Sequence, residues 1–451
     1  MRSLRVLALA TSALLLPLAA HAGGLARPNV AGARPVGMGG AYVAVAEDPS
    51  AVWYNPAGLA QVRSSQILAG LELAKPTFSY EPADGQCGQD PATSQPRTRC
   101  PKVESSSGLA TVPVVGASTR FASAGGAEPS RLAIGFLFYN GYGGAIEFDR
   151  AKLKSNNEEP GVIKSTLALL EAAPAVAYRV NEQLYLGAAF RIGIGLFNVE
   201  NAGGSHNRAN ATIDSTGAGV GYSLGAMLKP IPQLRVGLTY RSQLTVEPSG
   251  SASIENTPGS TPISSDVKTT LPWPQAAVGG VAIKPIDKLL LSTQLEWVNW
   301  SSFQAIAPKF QKDSSLNRLA RYDTNFKDSW AAHVGVEVTI LDDSRPIGAA
   351  VRAGYTRDSN AIPDASIDRQ YVDGDKNTVG GGGTIALGRH HFDAGVEVLF
   401  GGKRKVSTCG PDRNTGRPTD VCGDVNNDQQ AAPGSFSGSL FTGQLAYRYL
   451  Y

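Results

Sequence analysis

The sequence predicts an all-β fold: a 14-stranded antiparallel transmembrane β-barrel plugged by an N-terminal hatch. Three observations predict it. Segments of roughly 10–17 residues alternate apolar and polar side chains along most of the chain. Short and long connections take turns between them. A small-residue, turn-rich apolar stretch precedes them all.

Composition agrees. The chain has 51 Gly and only 3 Met in 451 residues, with 18% charged residues and a formal net charge of +3. Its mean hydropathy is −0.12. Poverty in helix formers and wealth in turn residues favour strands joined by tight turns. The net charge is too small to argue for nucleic acid, and the one basic trio, Lys403-Arg404-Lys405, reads as the solvated end of a strand.

Residues 1–22 read as a secretory signal. Arg2 and Arg5 precede an apolar run from Val6 to Ala20, and Ala20-His21-Ala22 is a small-x-small cleavage site. Pro17 interrupts the run, which is too short to span a bilayer comfortably. No cysteine follows the site, so lipoprotein attachment is not expected.

Residues 23–65 read as the hatch. Gly37-Met38-Gly39-Gly40-Ala41 packs closely and bends easily. Asp48-Pro49 sets a capping acid before a proline suited to a first helical position, and Asn55-Pro56-Ala57 repeats the device.

Residues 66–451 read as the barrel. Strands are expected near 66–80, 108–122, 130–148, 168–180, 183–199, 216–230, 233–248, 266–285, 287–303, 326–341, 345–358, 376–389, 391–405 and 436–451. That even number suits a bacterial barrel. Short turns such as Val180–Gln183, Asp342–Pro346 and Gly388–His391 alternate with long polar connections such as 81–107, 149–167, 200–215, 249–265 and 406–435. Within 184–196, Leu184, Leu186, Phe190, Ile192 and Ile194 oppose Tyr185, Arg191 and glycines. In 330–340, Trp330, Val334, Val336 and Val338 oppose His333 and Glu337; in 392–400, Phe392, Val396 and Val398 oppose Asp393 and Glu397. One face suits lipid and the other a polar lumen. The final strand lines Leu445, Tyr447, Tyr449 and Tyr451 on one face, as an interfacial girdle requires.

Four cysteines occur as Cys87…Cys100 and Cys409…Cys422, each pair in a Pro/Asp/Gly-rich loop. They read as two loop disulfides, each stabilising by about 3 kcal/mol. Cross-pairing between the loops stays open. Zinc is disfavoured, since no C-x-x-C or nearby histidine is present.

Several residue blocks carry a family resemblance. They are Gly37–Tyr42 with Asp48–Gly58, then Leu271-Pro272-Trp273-Pro274, Trp297–Phe303, Phe326–Trp330, Val351–Tyr355 and Ile362-Pro363-Asp364. In this order they resemble the FadL/TodX-type transporters of long-chain fatty acids and other hydrophobic compounds. The resemblance implies passive uptake across the outer membrane of a Gram-negative bacterium. It implies an outer hydrophobic site, a hatch rearrangement and sideways exit at a kink in the third strand. Asn140-Gly141-Tyr142-Gly143-Gly144 supplies the glycines for such a kink. Leu167, Leu169 and Leu170, with Lys164 for an acidic head group, are the ligand-site candidates, in what reads as a loop. Hydrophobic small molecules and membrane lipid are the expected partners, with no cofactor, no metal and a monomeric state.

Two rival readings stay open. A general porin for polar solutes would lack a plug. An outer-membrane lipase could use Gly221-Tyr222-Ser223-Leu224-Gly225, but that motif needs a strand-to-helix elbow, and here it lies in an alternating strand. Asp373-Gly374-Asp375 and Asp424–Asp428 resemble the start of calcium loops but lack glycine at the sixth position and glutamate at the twelfth, and read as solvated acids. His390-His391 reads as turn and rim.

Overall fold

Alternating side chains stand on opposite faces of a strand, so a chain patterned in this way must either stack two sheets or close one. This chain closes one. The computed structural model describes residues 31–62, 64–83, 100–122, 129–155, 161–202, 210–255, 261–312, 322–342, 346–367, 372–406 and 434–451. The expected signal at 1–22, the start of the expected hatch at 23–30, Cys87, Cys409, Cys422 and Asp424–Asp428 lie outside the described residues. Cys100 is disulfide-bonded.

The wall consists of β1 (Gln66–Pro82), β2 (Ala110–Ala122), β3 (Pro129–Glu147), β4 (Gly161–Arg179), β5 (Leu184–Ala202) and β6 (Asn210–Ile231), followed by β7 (Leu234–Arg241 and Ser249–Glu255) and β8 (Ile263–Lys268 and Ala276–Ile286). It is completed by β9 (Leu289–Val298), β10 (Ser329–Leu341), β11 (Ile347–Asp358), β12 (Lys376–Leu387), β13 (His390–Gly401) and β14 (Gly434–Leu450). Every pairing is antiparallel between neighbours, and β14 returns to β1 from Gln66↔Leu450 to Pro82↔Gly434. Closure pairs the backbone groups that hydrocarbon could not solvate.

The two faces divide as the sequence predicts. Leu186, Phe190, Ile192 and Ile194 are exposed on the outside, while Arg191 is buried inside. Trp330 and Val334 point out, and His333 points in. At the end where strands meet in short turns, His390, Phe392, Tyr447, Tyr449 and Tyr451 form a chain of ring contacts. This is the aromatic girdle.

The structure corrects several boundaries. β4 begins at Gly161, so Lys164 and Leu167 lie in a strand and not in a loop. β6 begins at Asn210, inside the expected long connection. His390-His391 opens β13, leaving Gly388 and Arg389 as the turn. The expected strands 233–248 and 266–285 are each broken. Between their halves, Leu244–Val246 pairs with Leu271–Trp273 as a separate ribbon. Leu244, Val246, Leu271 and Trp273 are all 0% exposed. Gly219 and Gly221 of β6 lie against Thr245 and Leu244 of the ribbon, so it crosses the inner wall. Asp373 is no solvated acid: it is buried, accepts from Ala361 N at 2.7 Å and pairs with Lys376 at 3.1 Å.

Candidate functional site: the bore and the β2–β3 window

The segment before β1 folds into α1 (Ala33–Gly37), α2 (Ala51–Tyr54) and a 3₁₀ turn (Pro56–Gln61). These elements are too short to be stable alone; the surrounding wall holds them. Gly39 and Gly40 take positive φ of 59° and 75°. A Cβ on Gly39 would also lie 2.6 Å from Tyr355 N. Only glycine meets both demands. Asp48 Oδ1 accepts from Ser50 N at 2.9 Å and its Oδ2 from Tyr42 Oη at 2.8 Å. Pro49 lies beside Gly116 of β2. Asn55 caps the 3₁₀ turn, accepting from Ala57 N at 3.2 Å with Pro56 in the first position. Its Nδ2 donates to Val43 O at 2.9 Å and to Ala226 O on β6 at 3.0 Å.

The wall meets this segment with bare backbone. Inward glycines contact it from ten strands, among them Gly135, Gly187, Gly237, Gly280, Gly335 and Gly395. Contacts on so many sides place residues 31–62 in the bore. Polar side chains then hold the segment in place. Arg34 donates to Glu337 at 2.8 and 2.9 Å. Gln294 Oε1 accepts from Tyr42 N and Val43 N, each at 3.0 Å. Thr356 Oγ1 donates to Gly39 O at 2.6 Å, and Thr239 Oγ1 to Tyr54 O at 2.9 Å. Glu47 bridges Arg34 at 3.3 Å and Arg235 at 2.9 Å. Burial opposes ionisation of Glu47, but Arg235 and Arg34 outweigh it and hold its carboxyl down to about 2. The ionic chain continues from Glu337 to Arg352, Asp393 and Arg448. The short-turn end of the bore is therefore filled and charged.

Above the segment, the other end of the bore is aromatic. Trp53 meets Tyr139 and Tyr142 of β3 at 5.0 and 6.0 Å, and Arg241 lies over its ring at 4.2 Å. Tyr142 stacks on Trp273 of the ribbon at 5.6 Å and meets Trp300 edge-on at 5.9 Å. Phe303 and Phe326 stack at 5.7 Å beyond. Blocks far apart in sequence thus converge on one tyrosine. The loop carrying them is pinned by Asp328, which accepts from Trp297 Nε1, Asn299 Nδ2 and Ser301 N at 3.1, 2.9 and 3.0 Å. Partial burial would raise its carboxyl, but these donors keep it below the usual range. This aromatic cluster was not among the sequence candidates. Its signal was the concentration of three of the five tryptophans at positions 53, 273 and 300, all of them buried here.

The wall is interrupted beside Tyr142. The β3–β4 ladder runs to Glu147↔Lys164, with Gly141 as an extra residue between Asn140↔Leu170 and Tyr142↔Leu169. Gly143 takes φ 81°, and Tyr139 Oη donates to Glu171 at 3.1 Å. On its other edge β3 pairs with β2 only as far as Val115↔Phe138. Ala110–Val114 of β2 continue to pair with β1. No ladder pair joins those residues to Tyr139–Glu147 among the described residues. The bridge Ser105↔Phe148 closes the top of this window. A cavity of about 330 Å³ opens onto it, lined by Val112, Asn140, Gly144, Leu167 and Leu440 among others. Two larger hollows, of about 810 and 800 Å³, lie away from the window among outward side chains such as Val351 and Phe392, or Leu238 and Trp330.

The other sequence candidates separate. Leu167 and Leu169 are buried and face inward, whereas Leu170 is half-buried on the opposite face of β4. Lys164 is half exposed and paired with Glu147 at 3.2 Å. Ser223 lies mid-strand in β6, opposite Ala189 and Arg241, and not at an elbow.

Residues 14–433 match the family model described as outer membrane protein transport protein (OMPP1/FadL/TodX). No curated protein matches the chain. Among solved structures, a Pseudomonas aeruginosa FadL homologue superposes with a TM-score of 0.76 at 17% identity, covering 95% of this chain and 99% of its own. The Ralstonia pickettii toluene transporter TbuX gives 0.65 at 17% identity, covering 92% and 98%. The P. putida toluene transporter TodX gives 0.68 at 14% identity, covering 94% and 99%.

Proposed function

The chain belongs to the OMPP1/FadL/TodX family of outer membrane transport proteins, and from that premise we propose that its hydrophobic cargo leaves sideways, through the β2–β3 window. The family places it in the outer membrane of a Gram-negative bacterium as a transporter of hydrophobic compounds. Long-chain fatty acids and monoaromatic hydrocarbons are both within the class the chamber could take. Residues 31–62 act as the hatch in this reading, and one chain suffices for the route.

The observation that carries the proposal is the contrast between the two ways out. Downward, the cargo meets the hatch and then Arg34, Glu337, Arg352, Asp393 and Arg448. Breaking such buried pairs costs about 3–5 kcal/mol each. Sideways, it meets the window cavity, whose lining is mostly apolar and includes Gly144, Leu167 and Val112. A methylene gains about 0.8 kcal/mol on leaving water, and lipid beyond the window keeps that gain. Trp53 belongs to α2 and meets Tyr142 of the bulged strand, so cargo entering the aromatic cluster displaces the hatch and that strand together. A porin for polar solutes needs an open bore, and the filled one argues against it.

Deleting Gly141 tests the route. The deletion removes the extra residue and restores a regular β3–β4 register. Uptake of a labelled hydrocarbon by cells carrying the variant as their sole copy should fall to the level of cells lacking the protein. Uptake at the wild-type rate would reject lateral exit.

A further inference from the structure

A buried ion pair joins two places where the wall departs from a regular ladder. Glu171 of β4 is 0% exposed and Arg191 of β5 is 1% exposed. Arg191 Nε donates to Glu171 Oε2 at 2.6 Å and its Nη2 to Oε1 at 3.0 Å, a fork on both oxygens. Toward the window, Tyr139 Oη donates to Glu171 Oε2 at 3.1 Å. A Cβ on Gly141 would stand 2.2 Å from Glu171 Oε1, so the carboxyl group lies directly on the backbone of the extra residue in β3. Toward the ribbon, Arg191 Nη1 donates to Ser242 O at 3.0 Å. Gly221, the register partner of Arg191 on β6, has no side chain to block that reach. Ser242 follows the first half of β7, where the chain leaves the wall for the ribbon at Leu244. The pair thus holds the root of the ribbon at one end and the bulge beside the window at the other.

A buried ion pair adds little net stability, because desolvation takes back most of the attraction. What this one supplies is position, since a planar fork fixes both oxygens of its partner. We propose that Glu171, clamped by Arg191, is a positioning residue of the exit: it ties the β3 bulge to the ribbon, so that displacing the ribbon shifts the bulge and opens the window. The inference rests on the lateral-exit reading above and supplies its link between chamber and wall, for Trp273 of the aromatic cluster belongs to the ribbon. The stack of Tyr142 on Trp273 also joins ribbon and β3. A ring stack fixes position less closely than a two-point fork.

The test is a mutant cycle read by amide hydrogen exchange in the purified full chain. Val246→Ala loosens the ribbon, since Val246 is 0% exposed and packs on Gly195 of β5 and Gly219 of β6. Glu171→Gln/Arg191→Met removes the pair, leaves neither charge alone and keeps an acceptor for Tyr139; Glu171→Gln by itself is a second background. With the pair present, Val246→Ala should speed exchange of Tyr139–Gly144 about tenfold, the scale of such couplings. Without the pair it should add nothing. No acceleration with the pair, or equal acceleration in both backgrounds, would overturn the role whatever the pair does for stability. Initial uptake of labelled 1-dodecanol by cells with a sole copy gives the functional readout. Without the pair the maximal rate should fall about tenfold at the wild-type half-saturating concentration, because the aromatic cluster is untouched; a wild-type maximal rate would also overturn it. The Gly141 deletion separates the two ideas. Loss of uptake there leaves lateral exit standing whatever Glu171 does, whereas uptake at the wild-type rate removes lateral exit itself.

Discussion

The carbonyl oxygen of Met38 lies 2.5 Å from the point where a Cβ on Gly335 would stand. A hatch residue therefore rests directly on the backbone of β10, and the same relation recurs around the wall. Glycine is the seat as well as the hinge. Gly335→Val should displace the hatch and cost about 1–3 kcal/mol, as overpacking does. The readout is ionic conductance of the purified protein in planar bilayers, which should rise above the wild-type level. Gly108→Val, where a Cβ meets nothing within 4 Å, should leave it unchanged. Equal conductance in all three proteins would contradict the seat.

Trp53 joins the hatch to the wall through Tyr139, Tyr142 and Arg241. Trp53→Ala removes all three contacts, and truncating such a side chain costs about 3–5 kcal/mol. Amides of residues 51–62 should exchange hydrogen faster in the variant, and so should those of Tyr139–Gly144. Faster exchange in the hatch alone would mean that the two elements are not coupled.

Glu47 gives the hatch a defined response to acid. Its carboxyl lies at about 2 against an ordinary 4.5, because Arg235 and Arg34 outweigh the burial that opposes its charge. A depressed carboxylate adds stability above its unfolded value and loses it as pH falls through the folded one. The stability that the bridges to Arg34 and Arg235 contribute is thus whole at neutral pH, declines below pH 4.5 and is gone below about pH 2, where the bridges themselves break. Pepsin should leave residues 31–62 intact at pH 3.5 and cut them near pH 2. Glu47→Gln should be cut at pH 3.5. Identical cleavage of both proteins across this range would refute the role.

The barrel was legible because lipid enforces a strict pattern. Leu186, Phe190, Ile192 and Ile194 had to be apolar while Arg191 did not, and this period of two is visible in any single strand. The ribbon was not legible for the same reason. Leu244 and Val246 keep the alternation with Gln243 and Thr245 while leaving the wall, so periodicity carries no sign of the departure. Only Pro272 and Pro274 hinted at a break in the ladder. The early start of β4 was hidden by the polar residues before Leu167, where Lys164 pairs across the strand with Glu147. The aromatic cluster around Tyr142 depends on contacts between residues as distant as Trp53 and Trp300, which local pattern cannot reveal.

The central claim is that cargo crosses the wall beside Gly144. A Cβ there meets nothing within 4 Å, and the residue lines the window cavity. Gly144→Trp should therefore fold normally and fill the opening while leaving the hatch untouched. The decisive measurement is the initial rate of hydrocarbon uptake by cells whose sole copy is Gly144→Trp. The account predicts a rate near that of cells without the protein; a rate equal to that of the wild type would contradict it.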